Sequence, residues 1–172
     1  SSQDLLRYNR AVKEMNLFGK ANYLRAAIAL KVDSKTINDV ARQILSQGSE
    51  TAATYSLTEP VEALSERILD TNMRTQCAVL DSLLSLEQSE SDTTKRVKEI
   101  VPKLVRSITL DRKRKERWEN TQENLFCMNA LARYASRYEQ VTPRLDLTVS
   151  VGSEKLATVA LKGKSAEAQE VS

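Results

Sequence analysis

The chain has 172 residues, of which 41% are apolar and 28% are charged, and its formal net charge is +3. The length predicts one domain, or one domain and the start of a second, and the charge is too small by itself to indicate a nucleic-acid partner. No apolar run approaches the roughly 18 residues that a membrane-spanning helix needs, and no signal-peptide pattern opens the sequence. Only 4 Gly and 3 Pro, against many Leu, Ala, Glu, Lys and Arg, predict a mainly α-helical protein. The first residues already resemble the middle of a folded protein, so we expect a piece of a longer chain.

The first 48 residues predict three helices joined by short turns. The first spans residues 3–17 and stops at Gly19, with an apolar face formed by Leu5, Tyr8, Val12 and Met15. The second spans residues 20–31 and carries few charges, so we expect it to be buried. The third is capped by Asp33 and Ser34 and ends at Gly48, and its apolar stripe is Ile37, Val40, Ala41, Ile44 and Leu45. Helices of this length with short connections indicate an array of αα-hairpins.

The middle of the chain interrupts this pattern and then resumes it. Residues 50–57 are rich in Thr and Ala and predict a short strand or extended segment. Residues 61–69 fit either a helical turn or a second extended stretch. Asp70 or Thr71 then opens a helix to about Leu86, whose inward side chains are Met73, Cys77, Leu80, Leu83 and Leu84.

The next helix, from about Thr93 to Thr109, has the clearest apolar stripe in the sequence, formed by Val97, Ile100, Val101, Leu104, Val105 and Ile108. Pro102 conflicts with that stripe, because a proline inside a helix costs about 3 kcal/mol. We therefore expect either a helix that starts near Val101 or one that is kinked at Pro102.

A last helix is predicted between Trp118 and Tyr138, where Asn120 or Thr121 can cap the start and Glu123 can complete a capping box. Its expected buried stripe is Leu125, Met128, Leu131, Ala132, Ala135 and Tyr138. The helix must end before Pro143, and the alternating apolar residues beyond it predict a β-strand: Leu145, Leu147, Val149 and Val151. The sequence thus predicts a helical domain over residues 1–142 and a β-hairpin-like tail over residues 143–172.

No arrangement of residues in the sequence indicates a catalytic, cofactor or metal site. The chain has no histidine, so neither a Ser-His nor a Cys-His nucleophile pair can form, and it has no CxxC or HExxH motif. Carboxylate pairs such as Glu62 with Glu66 have the spacing of an exposed helix face. We therefore expect no enzyme activity. Cys77 and Cys127 each lie within a predicted helix, so we expect buried thiols, with a disulfide between them as the alternative.

Five basic residues lie between the last two predicted helices, next to Trp118: Arg112, Lys113, Arg114, Lys115 and Arg117. A basic run beside an aromatic ring can contact phosphate groups and stack a nucleic-acid base. The alternative is a solvated loop whose cations interact favourably with the C-terminal dipole of the preceding helix. We favour the loop, because Asp111 and Glu116 dilute the charge and no second basic patch accompanies it. No nucleic acid is therefore expected as a partner.

Four motifs follow one another from Arg74 to Tyr138: RTQCAVLDSLLSL, VPKLVRSI, WENTQEN and MNALARYA. Their order resembles the closing part of the thioester domain of bacterial alpha-2-macroglobulins. The most specific residues of the resemblance are Trp118, Asn120, Thr121, Gln122, Glu123, Asn124 and Tyr134, for which a structural role is implied. In that family such helices close an α/α toroid, a ring of nested helix hairpins. The resemblance thus implies a mainly α fold that forms part of a toroid, with a short extended insertion at 50–57 and an exit at 144–163 towards a neighbouring β-domain.

The resemblance implies a role in a bait-and-trap protease inhibitor, which collapses around a protease after cleavage of a bait region. Many members of the family also carry a Cys-x-Glu-Gln thioester, a strained acyl donor that couples to lysines of the protease. Neither Cys77 nor Cys127 stands in such a motif. The segment Ser85-Leu86-Glu87-Gln88 matches it apart from Ser in place of Cys. We interpret that match as coincidence, because it lies late in the implied toroid and at the end of an amphipathic helix.

The implied partners are target proteases, through the parent protein, and neighbouring β-domains of that parent in the periplasm or cell envelope. In this interpretation the chain has a structural and interaction role and no catalytic site of its own. The alternatives are a helical-repeat scaffold that binds another protein and, less favoured, a polyanion binder acting through residues 112–117. An open part of a ring would leave apolar helix faces uncovered, so we also expect the isolated chain to self-associate.

Overall fold

The structure is a computed structural model that describes residues 2–59, 71–86, 92–115, 117–139, 144–152 and 154–162. As predicted, the protein is mainly helical and also contains β-hairpins. Its helices are α1 (Ser2–Arg7), a 3₁₀ helix (Asn9–Glu14), α2 (Leu17–Ala29), α3 (Ser34–Leu45), α4 (Asn72–Leu86), α5 (Asp92–Lys115) and α6 (Thr121–Tyr138). Its strands are β1 (Gly48–Glu50), β2 (Tyr55–Leu57), β3 (Arg144–Val151) and β4 (Glu154–Lys162). The ambiguous stretch 61–69 lies outside the described residues.

The chain divides into two compact units, Ser1–Arg133 and Tyr134–Ser172, and the division falls within α6. The second unit contains the β-hairpin that the alternating sequence predicts. Strands β3 and β4 pair antiparallel from Arg144 with Lys162 to Val151 with Glu154. Gly152 follows β3 with a φ of 63°, a left-handed conformation that glycine adopts without a steric penalty.

The beginning of the chain differs from the single helix predicted over residues 3–17. Helix α1 ends at Arg7, and of the predicted stripe only Val12 is buried, whereas Tyr8 is 60% exposed. Gly19 does not stop a helix but lies in the first turn of α2, where its N–H donates to the Asn16 side chain at 2.7 Å. The Asn16 cap therefore starts α2 at Leu17, earlier than the predicted Lys20.

The asparagine cap is reinforced by a carboxylate from a distant part of the chain. Both oxygens of Glu59 accept from the Leu17 N–H at 3.0 Å. A negative charge is favourable at this end of a helix. Glu59 is itself held by α4, because its own N–H donates to the Asn72 side chain at 3.0 Å. Helix α3 agrees with its prediction more closely: Asp33 caps it, and Val40, Ala41 and Ile44 are buried.

Helices α2, α4 and α6 run in the same direction. From α2 to α4, the Arg74 guanidinium lies 4.1 Å from the centroid of the Phe18 ring, and further along Asp81 pairs with Arg25 at 2.9 Å. From α4 to α6, Thr71 forms a hydrogen bond with Glu123, and Cys77 forms a disulfide with Cys127. In each pair of helices, a later residue of one helix contacts a later residue of the other, so the helices are parallel. Helices α3 and α5, which contact each other, return the chain between these three. The helices thus form hairpins arranged in two layers.

Helix α4 lies at the centre of the core, with α2, α5 and β2 packed around it. Every residue of α4 except Asn72 and Ser85 is buried. The predicted inward set is therefore correct but incomplete, since the other sides of the helix are also covered. A helix enclosed in this way carries apolar residues around most of its circumference.

Helix α5 runs without interruption from Asp92 to Lys115, with Pro102 inside it. The predicted start near Val101 is therefore wrong, and Arg112 to Lys115 belong to the helix and not to a loop. Proline has no N–H, so the carbonyl of Lys98 loses its helical partner. Both residues are exposed, so that water can bond this carbonyl. The predicted stripe is buried apart from Val105, which is half-buried.

The extended segment predicted at residues 50–57 is an antiparallel hairpin of β1 and β2, in which Gly48 pairs with Leu57 and Glu50 with Tyr55. The Tyr55 side chain is 2% exposed, and its hydroxyl donates to the Leu45 carbonyl at 2.7 Å. That carbonyl belongs to the last turn of α3, where it has no helical partner. Burial raises the pKa of Tyr55 to about 12, so the hydroxyl stays protonated and remains a donor. Ion pairs of Glu50 with Lys103, at 2.6 Å, and with Arg96 join the hairpin to α5.

Substituting alanine for Gly48 is expected to lower the free energy of unfolding by about 2 kcal/mol, because it overpacks the site. The added methyl group would overlap the Cζ and hydroxyl oxygen of Tyr55. The ring cannot move aside without losing its burial and its bond to Leu45. Chemical denaturation measures the loss. Ser49→Ala, at an exposed position of the same strand, is the control and should stay within about 0.5 kcal/mol of the wild type. Equal midpoints for Gly48→Ala and the wild type would contradict this packing.

Candidate functional site

The segment that begins at Trp118 forms the start of α6. Asn120 caps the helix, because its side-chain oxygen accepts from the Glu123 N–H at 2.9 Å, and Thr121 is the first helical residue. The capping box differs from the predicted one. The Glu123 carboxylate accepts from the N–H of Glu119, at 2.8 Å, and not from that of Asn120. The predicted helix start is thus confirmed. The hydrogen bond back from the Glu123 side chain, however, goes to the residue before the predicted donor.

The same carboxylate joins the starts of two helices. Its second oxygen accepts from the Thr71 hydroxyl at 2.6 Å, and the Thr71 hydroxyl oxygen accepts from the Arg74 N–H in the first turn of α4, at 3.1 Å. Glu123 is only 1% exposed. Because α4 and α6 are parallel, one negative charge lies at the N-terminal ends of both, where helix dipoles favour it. The sequence indicates the cap but not this second partner.

The predicted buried stripe of α6 is wrong, because none of its residues is buried: Ala132 is exposed, and Leu131, Ala135 and Tyr138 are half-buried. Leu125 and Met128 are each 56% exposed, and the buried residues are Glu123, Cys127 and Ala130, on the opposite side of the helix. Residues two or five positions apart lie on different sides of a helix of 3.6 residues per turn. The Glu123 hydrogen bonds and the Cys127 bond to α4 decide which side faces inward.

Cys77 and Cys127 form a disulfide, so the expected pair of buried thiols is corrected to a buried cross-link. Their Cα atoms are 4.8 Å apart, within the range that a disulfide spans, and both residues are fully buried. The sequence places both cysteines on helices. It does not show that the two helices meet at these positions, which is why the pairing remained an alternative.

Asp81 is a second buried carboxylate, and sequence reasoning missed it. It receives ion pairs from Arg25 of α2, at 2.9 Å, and from Arg133 of α6. Its side chain is 7% exposed, whereas those of the two arginines are 44% and 45% exposed. One signal existed, since Asp81 is the only acidic residue of α4.

A group of stacked side chains lies beside the Glu123 junction. The Arg74 guanidinium lies over the ring of Phe18, and Phe126 contacts the edge of Phe18 with ring centroids 5.2 Å apart. A cation over an aromatic face is favourable, and more so when partly shielded from water. This group joins α2, α4 and α6 at one end of the helical layer. It was not predicted, because no local pattern relates Phe18 to Phe126.

The predicted anion-binding residues do not converge on one point. Arg112 is half-buried, and its guanidinium lies 5.4 Å from the centroid of the Trp118 ring. Lys113, Arg114 and Arg117 are exposed, and Arg114 pairs with Asp111 at 3.6 Å. Lys115 ends the helix. Since successive helical residues point in directions about 100° apart, Arg112, Lys113 and Arg114 face three different sides of α5.

The remaining residues of the predicted motif have different surroundings. Gln122 is half-buried, whereas Thr121 and Asn124 are exposed. Tyr134 stacks on Tyr138, with ring centroids 4.7 Å apart. Of the residues of the motif, the structure thus brings Asn120 and Glu123 into one network.

The network holds the starts of α4 and α6 together. Ser85, the serine of the Ser-Leu-Glu-Gln match, donates to the Asp81 carbonyl at 3.0 Å and accepts from Arg133 at 3.2 Å. Glu87 and Gln88 lie outside the described residues. Within the described ranges, no group of three His, Cys, Asp or Glu could hold a metal ion, and no helix is long and apolar enough to cross a membrane.

No protein-family model, curated protein or solved structure matches the chain.

Proposed function

We propose that this chain is a structural and interaction element of a bacterial alpha-2-macroglobulin-like protease inhibitor, in which it forms part of an α/α toroid and has no catalytic site of its own. The observation that carries the proposal is the Glu123 junction. It brings the start of the RTQ helix and the start of the WENTQEN helix together, although 52 residues separate Thr71 from Glu123. The two helices that carry these motifs are therefore joined directly by a hydrogen bond.

The direction of the helices supports the toroid. Helices α2, α4 and α6 are parallel and are linked in sequence by α3 and α5, which is the arrangement that a ring of nested hairpins requires. The β-hairpin of the second unit supports an exit towards a β-domain.

The disulfide supports a location in the periplasm or cell envelope. Disulfides persist in oxidising compartments and are rare in the cytosol, where thiol reductants keep cysteines reduced. A fully buried bond between two core helices has a structural role, and a protein that depends on it folds best where the bond can form.

A protection assay on the parent protein tests the trap. The parent is mixed with a protease, and residual activity is measured on a small peptide substrate and on a large protein substrate. An enclosed protease is expected to keep its activity on the peptide and to lose it on the protein. The control is the same protease mixed with parent in which the Cys77–Cys127 bond has been removed. Equal activity on both substrates with the intact parent would contradict the proposal.

Intact mass before and after methylamine separates two forms of the trap. Methylamine opens a thioester, adds its own mass and releases one thiol. A mass shift would establish a covalent trap, with the thioester located in the parent outside this chain. An unchanged mass together with size-dependent protection would establish a trap without a thioester.

A protein-binding helical scaffold is the second candidate, and the exposed side of α6 favours it. Leu125 and Met128 lie one turn apart and form an apolar surface. Light scattering after size-exclusion chromatography tests the expected self-association of the isolated chain. If the isolated chain remains a monomer at high concentration, the expected self-association through this apolar surface is wrong.

A further inference from the structure

The positive charge of the protein is concentrated on one helix. Helix α5 carries nine Lys and Arg residues and three Asp and Glu residues. The rest of the chain has 17 basic and 20 acidic residues, so it is negatively charged although the whole chain has a net charge of +3. A field of this kind attracts an anionic partner to one side of the molecule.

Four exposed basic residues of α5 lie along one side of the helix. We call Lys95, Lys98, Arg106 and Lys113 the basic stripe: they recur at helical spacing and are all exposed. Their opposite side consists of the buried residues Val97, Val101, Leu104 and Ile108. With a rise of 1.5 Å per residue, the stripe is about 27 Å long.

Most of the stripe is not neutralised within the protein. Lys95 pairs with Asp92 at 3.2 Å, but both side chains are exposed. The ion pairs that α5 forms within the described residues involve Lys95, Arg96, Lys103 and Arg114, and not Lys98, Arg106 or Lys113. Glu99 lies on the same side, where it pairs with Arg96 at 3.0 Å. Three unpaired cations therefore face solvent along one edge.

We propose that the basic stripe binds an anionic lipid surface through the phosphate groups of its headgroups. A membrane presents phosphates over a plane, which the basic stripe can contact along its whole length. The apolar side of α5 is already packed inside the protein, so the helix adsorbs to the surface and does not insert. Leu110, which is 47% exposed, lies near the C-terminal end of the stripe, and the half-buried Trp118 contacts Arg112, the neighbour of Lys113 in sequence. Side chains of these types are favoured at the boundary between headgroups and acyl chains.

Two observations favour a lipid surface over a nucleic acid. Helix α5 contains no Asn or Gln, the side chains that read adenine edges. The buried disulfide also indicates an oxidising compartment. Membranes are present there, whereas the nucleic acids of the cytoplasm are absent. This inference stands independently of the protease-trap proposal.

Vesicle sedimentation of the full 172-residue chain tests the proposal. The chain is mixed with phosphatidylcholine vesicles that contain either no anionic lipid or about 30% phosphatidylglycerol. Binding is expected only to the anionic vesicles and should fall steeply with added salt, because the contact is electrostatic. The variant with Lys98→Gln, Arg106→Gln and Lys113→Gln should lose roughly a hundredfold in partition coefficient, at about fivefold for each cation.

The matched control carries Arg10→Gln, Lys13→Gln and Lys35→Gln, which remove the same charge from exposed positions outside α5. It should keep most of the binding. Equal losses in the two variants would overturn the proposal, since net charge alone would then explain adsorption, and absence of binding to anionic vesicles would also overturn it. Tighter binding to duplex DNA than to vesicles at equal phosphate concentration would overturn it in favour of a nucleic acid. Circular dichroism verifies that each variant is folded.

Discussion

Replacing Cys77 and Cys127 together by alanine is expected to lower the free energy of unfolding by about 4 kcal/mol. The bond closes a loop across a sequence separation of 50 residues, and removing it returns that conformational entropy to the unfolded chain. Such a loss is a large part of the free energy of unfolding of a typical domain, which is about 5 to 15 kcal/mol. Urea denaturation monitored by circular dichroism measures the change.

Two controls separate the bond from the packing around it. Reduction of the wild-type chain should produce nearly the same loss as the double alanine variant, because both remove the cross-link. Met128→Ala, on the exposed side of the same helix, should change stability by about 0.5 kcal/mol or less. If the oxidised and reduced wild-type chains unfold at the same urea concentration, the cross-link does not stabilise the fold.

Glu123→Ala is expected to lower the free energy of unfolding by about 3 kcal/mol. The change leaves the Thr71 hydroxyl and the Glu119 N–H without their acceptor. Thr71 is half-buried and Glu119 is exposed, so most of the expected loss comes from the two hydrogen bonds to a charged group, at about 1.5 kcal/mol or more each, and from the cavity left by the buried Glu123 side chain. Thermal and urea denaturation should both show the loss.

The neighbouring Asn124→Ala is the matched control, because Asn124 is exposed on the same helical turn. A double-mutant cycle with Thr71→Ala should give a coupling of about 1 kcal/mol or more between Thr71 and Glu123, since the two groups are in direct contact. Additive losses in that cycle would mean that the carboxylate does not link α4 to α6.

Local patterns were sufficient for the elements that have one apolar side. The centre of the α3 stripe is buried as predicted, and the strand predicted from alternation is β3. Local patterns failed where apolar residues lie on two sides of a helix, as in α6. There the periodicity cannot decide which side is buried, and contacts with α4 determine it. The predicted helix start near Val101 was wrong for another reason. The free-energy cost of a proline inside a helix is smaller where the carbonyl that loses its helical partner faces water.

The candidate site was predictable only in its local part. The Asn120 cap depends on residues that are neighbours in sequence, so its chemistry is visible there. Thr71, Cys77 and Asp81 reach α6 over a long stretch of chain, and no short-range signal specifies such pairs. The basic stripe is intermediate: the charges are evident in the sequence, but their alignment depends on α5 continuing through Pro102.

The three links between α4 and α6 have almost equal sequence separations of 52, 50 and 52 residues. The links from α2 to α4, Phe18 with Arg74 and Arg25 with Asp81, each span 56 residues (74 − 18 and 81 − 25), so the entropy cost of closing the loop is similar for the two successive pairs of parallel helices. A chain built in this way can fold progressively during synthesis, with each completed hairpin providing the surface on which the following one docks. We expect the cysteine bond to form after α6 has docked, so that oxidation secures a helix pairing already selected by packing.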